Sequence, residues 1–384
     1  MSTHTISLPT GELNLCLAAS DFTLDDLTDY AARQNPKRGF LFVNKLLAKY
    51  WPSKPQAMAQ MHQYLAQSLA GSIQGSSVFV GMAEAAAGLG QGVYEAYLNQ
   101  ATRSDHLFIH TSRYLLADIC KLDFQEQHSH AAQFYLYVPL EPLLQQSFLT
   151  AQNLVLIDDE LTTGRTFVNL IRAYQRVNPQ LQRIIIVSIL NFVDHERQQQ
   201  MQQQLGVELQ FISALAAEVN FVSNPDYRYT NIPNVQSQPH CKRQHLSLTA
   251  GRLGIQGHLE FDATPLETLL QSWHKEQSIL VLGTGEFIHV AFLMGRYLEQ
   301  QDWDVSIQST ARSPLLKGEA IKEKMEFKDN YADNIPNYLY NVRADQYDHV
   351  IICHETPMCA SLQHLVQQLN AISFYYADGK ISLS

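Results

Sequence analysis

At 384 residues with 46% hydrophobic side chains, the chain is long enough for two domains with a core each, which excludes disordered and fibrous classes. A net charge of −10 and a pI near 5.8 oppose a broad nucleic-acid footprint, so no nucleic-acid partner is expected and any bound anion must be met locally. The five cysteines, at 16, 120, 241, 353 and 359, form no C-x-x-C pair, the first 30 residues lack a basic start with an apolar run, and no apolar stretch has bilayer length; a cytoplasmic protein without membrane partner is expected.

Residues 1–23 read as short strands or an arm around L-P-T-G-E-L, and Thr23 to Arg33 as a helix. The next stretch gathers Lys37, Arg38, Lys45, Lys49 and Lys54 in an otherwise acidic protein. Two readings stand for it: a solvated helix face, or cations that meet an anionic ligand. Gln56 to Ala70 is an amphipathic helix, and Val78 to Val80 starts a strand that opens into G-M-A-E-A-A-A-G-L-G. This puts a turn of small residues, Gly81, Met82, Ala83 and Glu84, between a strand and a helix. His106 to His110 is the next strand and ends in T-S-R-Y, setting Thr111 and Arg113 on the rim where open α/β sheets carry ligands. Between there and the strand Phe134 to Val138 lies a polar interval, Asp123 to Ala132, with Glu126, His128 and His130. With Arg113 they are candidates to stabilise a leaving group or to move a proton. The H-x-H spacing alone lacks the further ligands that a metal site needs.

The most informative stretch is L-V-L-I-D-D-E-L-T-T-G-R-T, Leu154 to Thr166. Its four aliphatic residues suit a strand buried on both faces of a parallel sheet, closed by Asp158 and Asp159, and Phe167 to Val177 has helical spacing. Exposed amides at a helix start, together with the positive end of its dipole, suit a dianionic phosphate. Gly164 lets backbone approach closely, and the threonine hydroxyls can donate to phosphate oxygens. The aspartates accept hydrogen bonds only, so their partners are sugar hydroxyls and a hydrated divalent cation. The combination describes a ribose-5-phosphate site.

Further along, Arg183 to Leu190 is a strand and Asp194 to Gln204 a helix, where Asp194-His195-Glu196 reads as capping in preference to an acid–base cluster. From Asn220 to Gln256 periodicity fades and a domain boundary is expected; Arg252, in T-A-G-R-L-G, sits in a turn or touches phosphate. Residues 278–384 then repeat the plan of the first half. Ile279 to Leu282 is a strand, Gly283 to Glu286 a tight turn, Phe287 to Gln300 a helix, and Asp304 to Gln308 a strand ending S-T-A-R-S-P. Val350 to Ile352 is a strand ending C-H-E-T-P, followed by a helix to Leu369 and a strand from Ala371 to Tyr376. Gly283 to Glu286 falls on Gly81 to Glu84, Thr310 and Arg312 on Thr111 and Arg113, and Cys353-His354-Glu355 on Asp158-Asp159-Glu160. The readings are a degenerate second module or convergence of two doubly wound units. Gly283, Gly285, Arg312 and Ser313 are the candidates for a second anionic site, and Cys353, His354 and Cys359 read as core groups before metal ligands.

The Leu154 stretch resembles the phosphoribosyl-pyrophosphate signature of type I phosphoribosyltransferases: an aliphatic strand, two acidic residues, a variable pair and T-T-G-x-T. The resemblance implies a parallel-sheet type I fold, with Asp158 and Asp159 on the ribose 2- and 3-hydroxyls and Thr162, Thr163, Gly164, Arg165 and Thr166 around the 5-phosphate. Glu160 and Leu161 form the variable pair; Glu160 departs from the usual small apolar residue at a position that faces away from the sugar. It further implies that Gly81 to Glu84 hold pyrophosphate, that the Asp123 to Ala132 interval covers the site, that Mg2+ is held indirectly by Asp158 and Asp159, and that the protein is a homodimer. Together with the basic stretch and T-A-R-S-P, the chain resembles a bacterial phosphoribosyltransferase family of tellurium-resistance gene clusters with an appended TRSP domain.

The expected organisation is a phosphoribosyltransferase-like domain at 1–220, a connection at 221–277 and a TRSP-like α/β domain of similar strand order at 278–384. The expected activity takes 5-phosphoribosyl 1-pyrophosphate and Mg2+, ribosylates a base-like acceptor and releases pyrophosphate, in nucleotide or related metabolism. The alternative is a non-catalytic sensor of the same sugar, against which stand the lack of a basic DNA-reading helix and the presence of the Asp123 to Ala132 interval. A synthetase of the sugar pyrophosphate is disfavoured because the second module lacks a ribose-phosphate loop. The acceptor is not legible, since base pockets are built from scattered contacts.

Overall fold

Apolar runs at Val78–Val80, Leu154–Ile157 and Ile184–Val187 form the middle of a sheet covered on both faces, which is why they are continuous and not alternating. The computed structural model describes residues 2–103, 105–116, 118–125, 133–229, 246, 248, 250–318 and 320–384. The first half begins with β1 (Ser2–Leu8), β2 (Gly11–Leu17), the single turn α1 (Leu24–Leu27), and the antiparallel pair β3 (Thr28–Ala32) and β4 (Phe40–Asn44). It continues through α2 (Pro55–Ser68), β5 (Ser77–Gly81), α3 (Ala87–Leu98), β6 (His106–His110), β7 (Lys121–Gln125) and β8 (Gln133–Tyr137). It ends with α4 (Pro142–Thr150), β9 (Asn153–Leu161), α5 (Arg165–Val177), β10 (Arg183–Asn191), α6 (His195–Leu205) and β11 (Glu208–Ser223). The second half holds α7 (Thr264–Leu270), β12 (Ser278–Gly283), α8 (His289–Glu299), β13 (Asp304–Ser309), β14 (Lys324–Lys328) and β15 (Pro336–Tyr340). β16 (His349–His354), α9 (Ala360–Gln368), β17 (Ile372–Ala377) and β18 (Lys380–Leu383) complete it. Among the described residues no helix is long and apolar enough to cross a membrane.

The expected helix from Thr23 to Arg33 is the main local correction. A capping box does start a helix there, Thr23 Oγ1 accepting from the Asp26 amide and the Asp26 carboxylate from the Thr23 amide. One turn later the chain leaves for β3, whose pairing with β4 puts Tyr30 edge-on to Phe42. Tertiary pairing outweighs the local helical signal.

The main sheet has the order β1-β2-β11-β10-β9-β5-β6, with β11, β10, β9, β5 and β6 parallel and the β1–β2 hairpin antiparallel at one edge. The chain direction of winding reverses between β5 and β9, and such switch points open a crevice at the carboxyl ends of the strands. The second sheet, β13-β12-β16-β17-β18, repeats that order with its own switch between β12 and β16. Both modules insert a two-stranded hairpin at the same place, β7–β8 after β6 and β14–β15 after β13.

Side chains repeat with the strands. The Thr111 amide donates to Gly81 O while its hydroxyl accepts from the Ala83 amide, and Thr310 does the same with Gly283 O and the Gly285 amide. The Tyr137 hydroxyl donates to Tyr114 O and accepts from the Leu116 amide; the Tyr340 hydroxyl donates to Ser313 O and accepts from the Leu315 amide. A doubly wound fold demands none of these, so convergence is the weaker reading. The strand register moves one match: Gly81 lies opposite Ile157 and Leu282 opposite Ile352, which places His354 on Asp158 and Glu355 on Asp159.

The modules meet through buried charge. Arg252 lies between them with a side chain 1% exposed, gripping Glu355 through two nitrogens at 2.9 Å each and approaching Glu286 at 3.3 Å. Glu286 also accepts from Ser112 Oγ (2.8 Å) and the Arg113 amide (2.6 Å) of the first module. Helices α3 and α8 approach closely because Gly88 has no side chain; a Cβ there would come 2.6 Å from Ile288 Cγ2. Neutralising Arg252 leaves two carboxylates buried without their cation, so Arg252→Met is expected to cost about 3–5 kcal/mol in denaturant unfolding. A loss below about 1 kcal/mol would show that the network is not a structural tie.

Candidate active site

The switch point of the main sheet opens a cleft of about 200 Å³ between the turn after β5 and the loop that joins β9 to α5. Strand β9 runs past both aspartates to Leu161, so Asp158, Asp159 and Glu160 are part of the sheet's rim and only half-buried. Thr162 to Thr166 then wrap into α5. Gly164 takes φ +67°, a backbone conformation that favours glycine, and a Cβ on it would displace the end of the Met201 side chain, whose Sδ lies 2.6 Å away. Arg197 Nε donates to Thr163 O at 3.2 Å and pins the loop to α6. Among the described residues, the amides of Thr163, Gly164 and Thr166 make no internal hydrogen bond. They lie at the positive end of the α5 dipole, the arrangement that suits a phosphate.

The end of β9 carries negative charge at a price. Asp158 is pushed well above the ordinary carboxylate range by burial first and by neighbouring Asp159 second. Burial and then Glu160 push Asp159 up to about 6. The pair titrates as a unit and near neutrality holds its charge only under strain. Hydrogen-bond donors such as a vicinal diol, or a cation, relieve it.

On the β5 side the backbone is partly spent. The Met82 amide donates to Ile157 O at 2.9 Å and the Ala83 amide to Thr111 Oγ1 at 2.8 Å, so of the expected Gly81 to Glu84 cradle only the Glu84 amide, joined by that of Ala85, remains without a partner among the described residues. The Glu84 side chain is held by Lys49, a cation buried to 1% exposure, and by Arg312 Nε at 3.3 Å. Burial alone would raise the Glu84 pKa, but Lys49 and Arg312 outweigh it and hold the carboxyl below its usual value.

Of the basic stretch, Arg38 and Lys49 reach the site, while Lys45 caps Asp25 O and Lys54 pairs with Asp304 at the surface. Glu160, expected to face away from the sugar, lines the cleft and pairs with Arg38, whose guanidinium lies over Phe40. Arg113 sits 4.0 Å over the Phe134 ring at the cleft wall. Glu126, His128 and His130 lie outside the described residues. Of the groups expected around a second anion, Gly283 O accepts from the Thr310 amide, the Gly285 amide is taken by Thr310 Oγ1, Gly285 O by Lys49 Nζ and Ser309 Oγ, Ser313 O by Tyr340, and Arg312 meets Glu84. Arg252, read as a turn or a phosphate contact, is the buried tie between modules. Asp194 caps α6, accepting from the Arg197 amide, and Cys353 is a buried thiol whose pKa burial raises. Lys49, Glu84's partner, was not singled out from its neighbours in sequence, and no local signal distinguishes it.

Because the folded state keeps a proton on the aspartate pair that the unfolded chain has already lost, stability falls as pH rises from the ordinary carboxylate range through the raised folded value. Asp158→Asn is therefore expected to stabilise the ligand-free protein by roughly 1 kcal/mol or more at pH 8, the gain shrinking as pH falls to about 4. Thermal unfolding across that range checks it; a gain independent of pH refutes it.

Several solved structures align with about half of the chain. They include APRTase from Giardia lamblia with 9-deazaadenine (17% identity, 51% of this chain and 98% of that one, TM-score 0.35). Adenine phosphoribosyl transferase from Trypanosoma brucei aligns at 12% identity over 56% of this chain and 87% of that one (TM-score 0.36). Orotate phosphoribosyltransferase from Mycobacterium tuberculosis aligns at 13% identity over 50% and 91% (TM-score 0.30). No curated protein matches. Residues 249–369 match the family described as the TRSP domain C-terminal to the transferase. Residues 27–218, half of the chain and every residue of the cleft described above, match the family described as phosphoribosyl transferase, and the protein belongs to that family.

Proposed function

We propose that the cleft binds 5-phosphoribosyl 1-pyrophosphate and transfers its ribosyl group to a nitrogen of a base-like acceptor. The observation that carries this reading is the placing, within one cleft of about 200 Å³, of two strained carboxylates at the end of β9 and unpartnered amides at the start of α5. A diol meets the first and a phosphate the second, and a phosphorylated pentose presents both. The phosphate end acts as an anchor whose binding energy places C1. The acceptor nitrogen forms a bond to C1 as the C1–O bond breaks, the electron pair leaves with pyrophosphate, and the acceptor's N–H proton departs with it. Positive charge that develops on the sugar faces Asp158 and Asp159.

The donor set fits Mg2+. Asp158 and Asp159 offer hard carboxylate oxygens, and among the described residues no group of three or more His, Cys, Asp or Glu forms a cage. That suits an ion which keeps most of its waters and substrate oxygens. When bound, Mg2+ supplies charge neutralisation to the leaving group.

Pyrophosphate release, followed with Mg2+, the sugar pyrophosphate and a panel of purine and pyrimidine bases, is the test. The Asp158→Asn/Asp159→Asn variant is expected to lose about a hundredfold or more in rate. Equal release by variant and wild type removes the reading.

A further inference from the structure

We propose that Arg312, which belongs to the C-terminal module, is a positioning residue for the pyrophosphate side of the cleft in the first module. The inference rests on the ribosyl-transfer reading above and adds to it a task for the second module. A glutamate beside a polyanion is a liability, because its charge opposes the ligand that the neighbouring amides are meant to receive. Here both oxygens of Glu84 are engaged from the module interface, one by Lys49 and the other by Arg312 Nε at 3.3 Å. The carboxylate is thereby neutralised and held, and the Glu84 and Ala85 amides are left to an anion.

Each cation is held from across the seam between the modules. Arg312 lies 4.5 Å over the Tyr114 ring with 8% of its side chain exposed, so its direction is set by packing. Lys49 is aimed by Gly285 O at 2.9 Å, and the Gly285 turn is itself held by Thr310. This is the turn equivalent to Gly81–Glu84 in the duplicated plan. The second module's turn therefore scaffolds its counterpart.

Local charge makes the effect measurable. Glu84, Lys49 and Arg312 together carry one net positive charge; Arg312→Gln removes it, and Glu84→Gln/Arg312→Gln restores it. Calorimetric titration with two probes separates this role from general damage: 5-phosphoribosyl 1-pyrophosphate, which reaches the Glu84 side, and ribose 5-phosphate, which lacks the pyrophosphate. Arg312→Gln is expected to weaken the first by about tenfold or more and the second by less than about twofold. The double variant is expected to return the pyrophosphate sugar to within about threefold of wild type, and it is read in the same way should Arg312→Gln alone fail to fold. Equal affinities for wild type and Arg312→Gln, parallel loss of both probes, or no recovery in the double variant overturns the inference. Wild type that takes up neither probe removes the ribosyl-transfer reading instead.

Discussion

The molecule is organised by an exchange of buried glutamates between two equivalent turns. Glu84, at the tip of β5, reaches the rim of the second module; Glu286, at the tip of β12, reaches the rim of the first. A carboxylate removed from water costs several kcal/mol unless cations and donors surround it, and here Lys49, Arg312, Arg252 and two first-module donors do so. Since both glutamates stand at carboxyl ends of strands, the two sheets must face each other rim to rim.

The same position has been put to opposite uses in the two copies. Asp159 stays at the cleft with its charge strained and available. Glu355, its counterpart by strand register, spends its charge on both terminal nitrogens of Arg252, with the Tyr331 hydroxyl 3.1 Å away. An unsatisfied carboxylate pair is a site; a satisfied one is a fastener. The difference is made by one arginine from the stretch between the modules.

The cleft was legible because its chemistry is local. An aliphatic run, two acids and T-T-G-R-T lie in thirteen consecutive residues, and strand, loop and helix follow from their own periodicity. The repeat was legible for the same reason, although its register slipped by one at Cys353, where no T-T-G loop follows to fix the alignment. What sequence did not offer was the partnership of distant charges. Arg252 and Glu355 are 103 residues apart, and Lys49 and Gly285 are 236 apart. Strand β11 was missed because its sixteen residues are mostly half-exposed and mix small, acidic and apolar side chains, a pattern that only its pairing with β10 and β2 makes a strand. Residues 28–32 were read as helix because the capping box at Thr23 is a true local signal that lasts one turn.

β13 is the outermost strand of the second sheet, yet its backbone does not end in solvent: Ser53 exchanges both hydrogen bonds with Ile307, and the Ser309 amide donates to Ala48 O. A bare edge would recruit foreign backbone. Here a passage of chain synthesised long before β13 serves as its selvedge, which ties the two modules together as one heritable unit. A gene fragment encoding only the latter half would arrive at the ribosome without its hem.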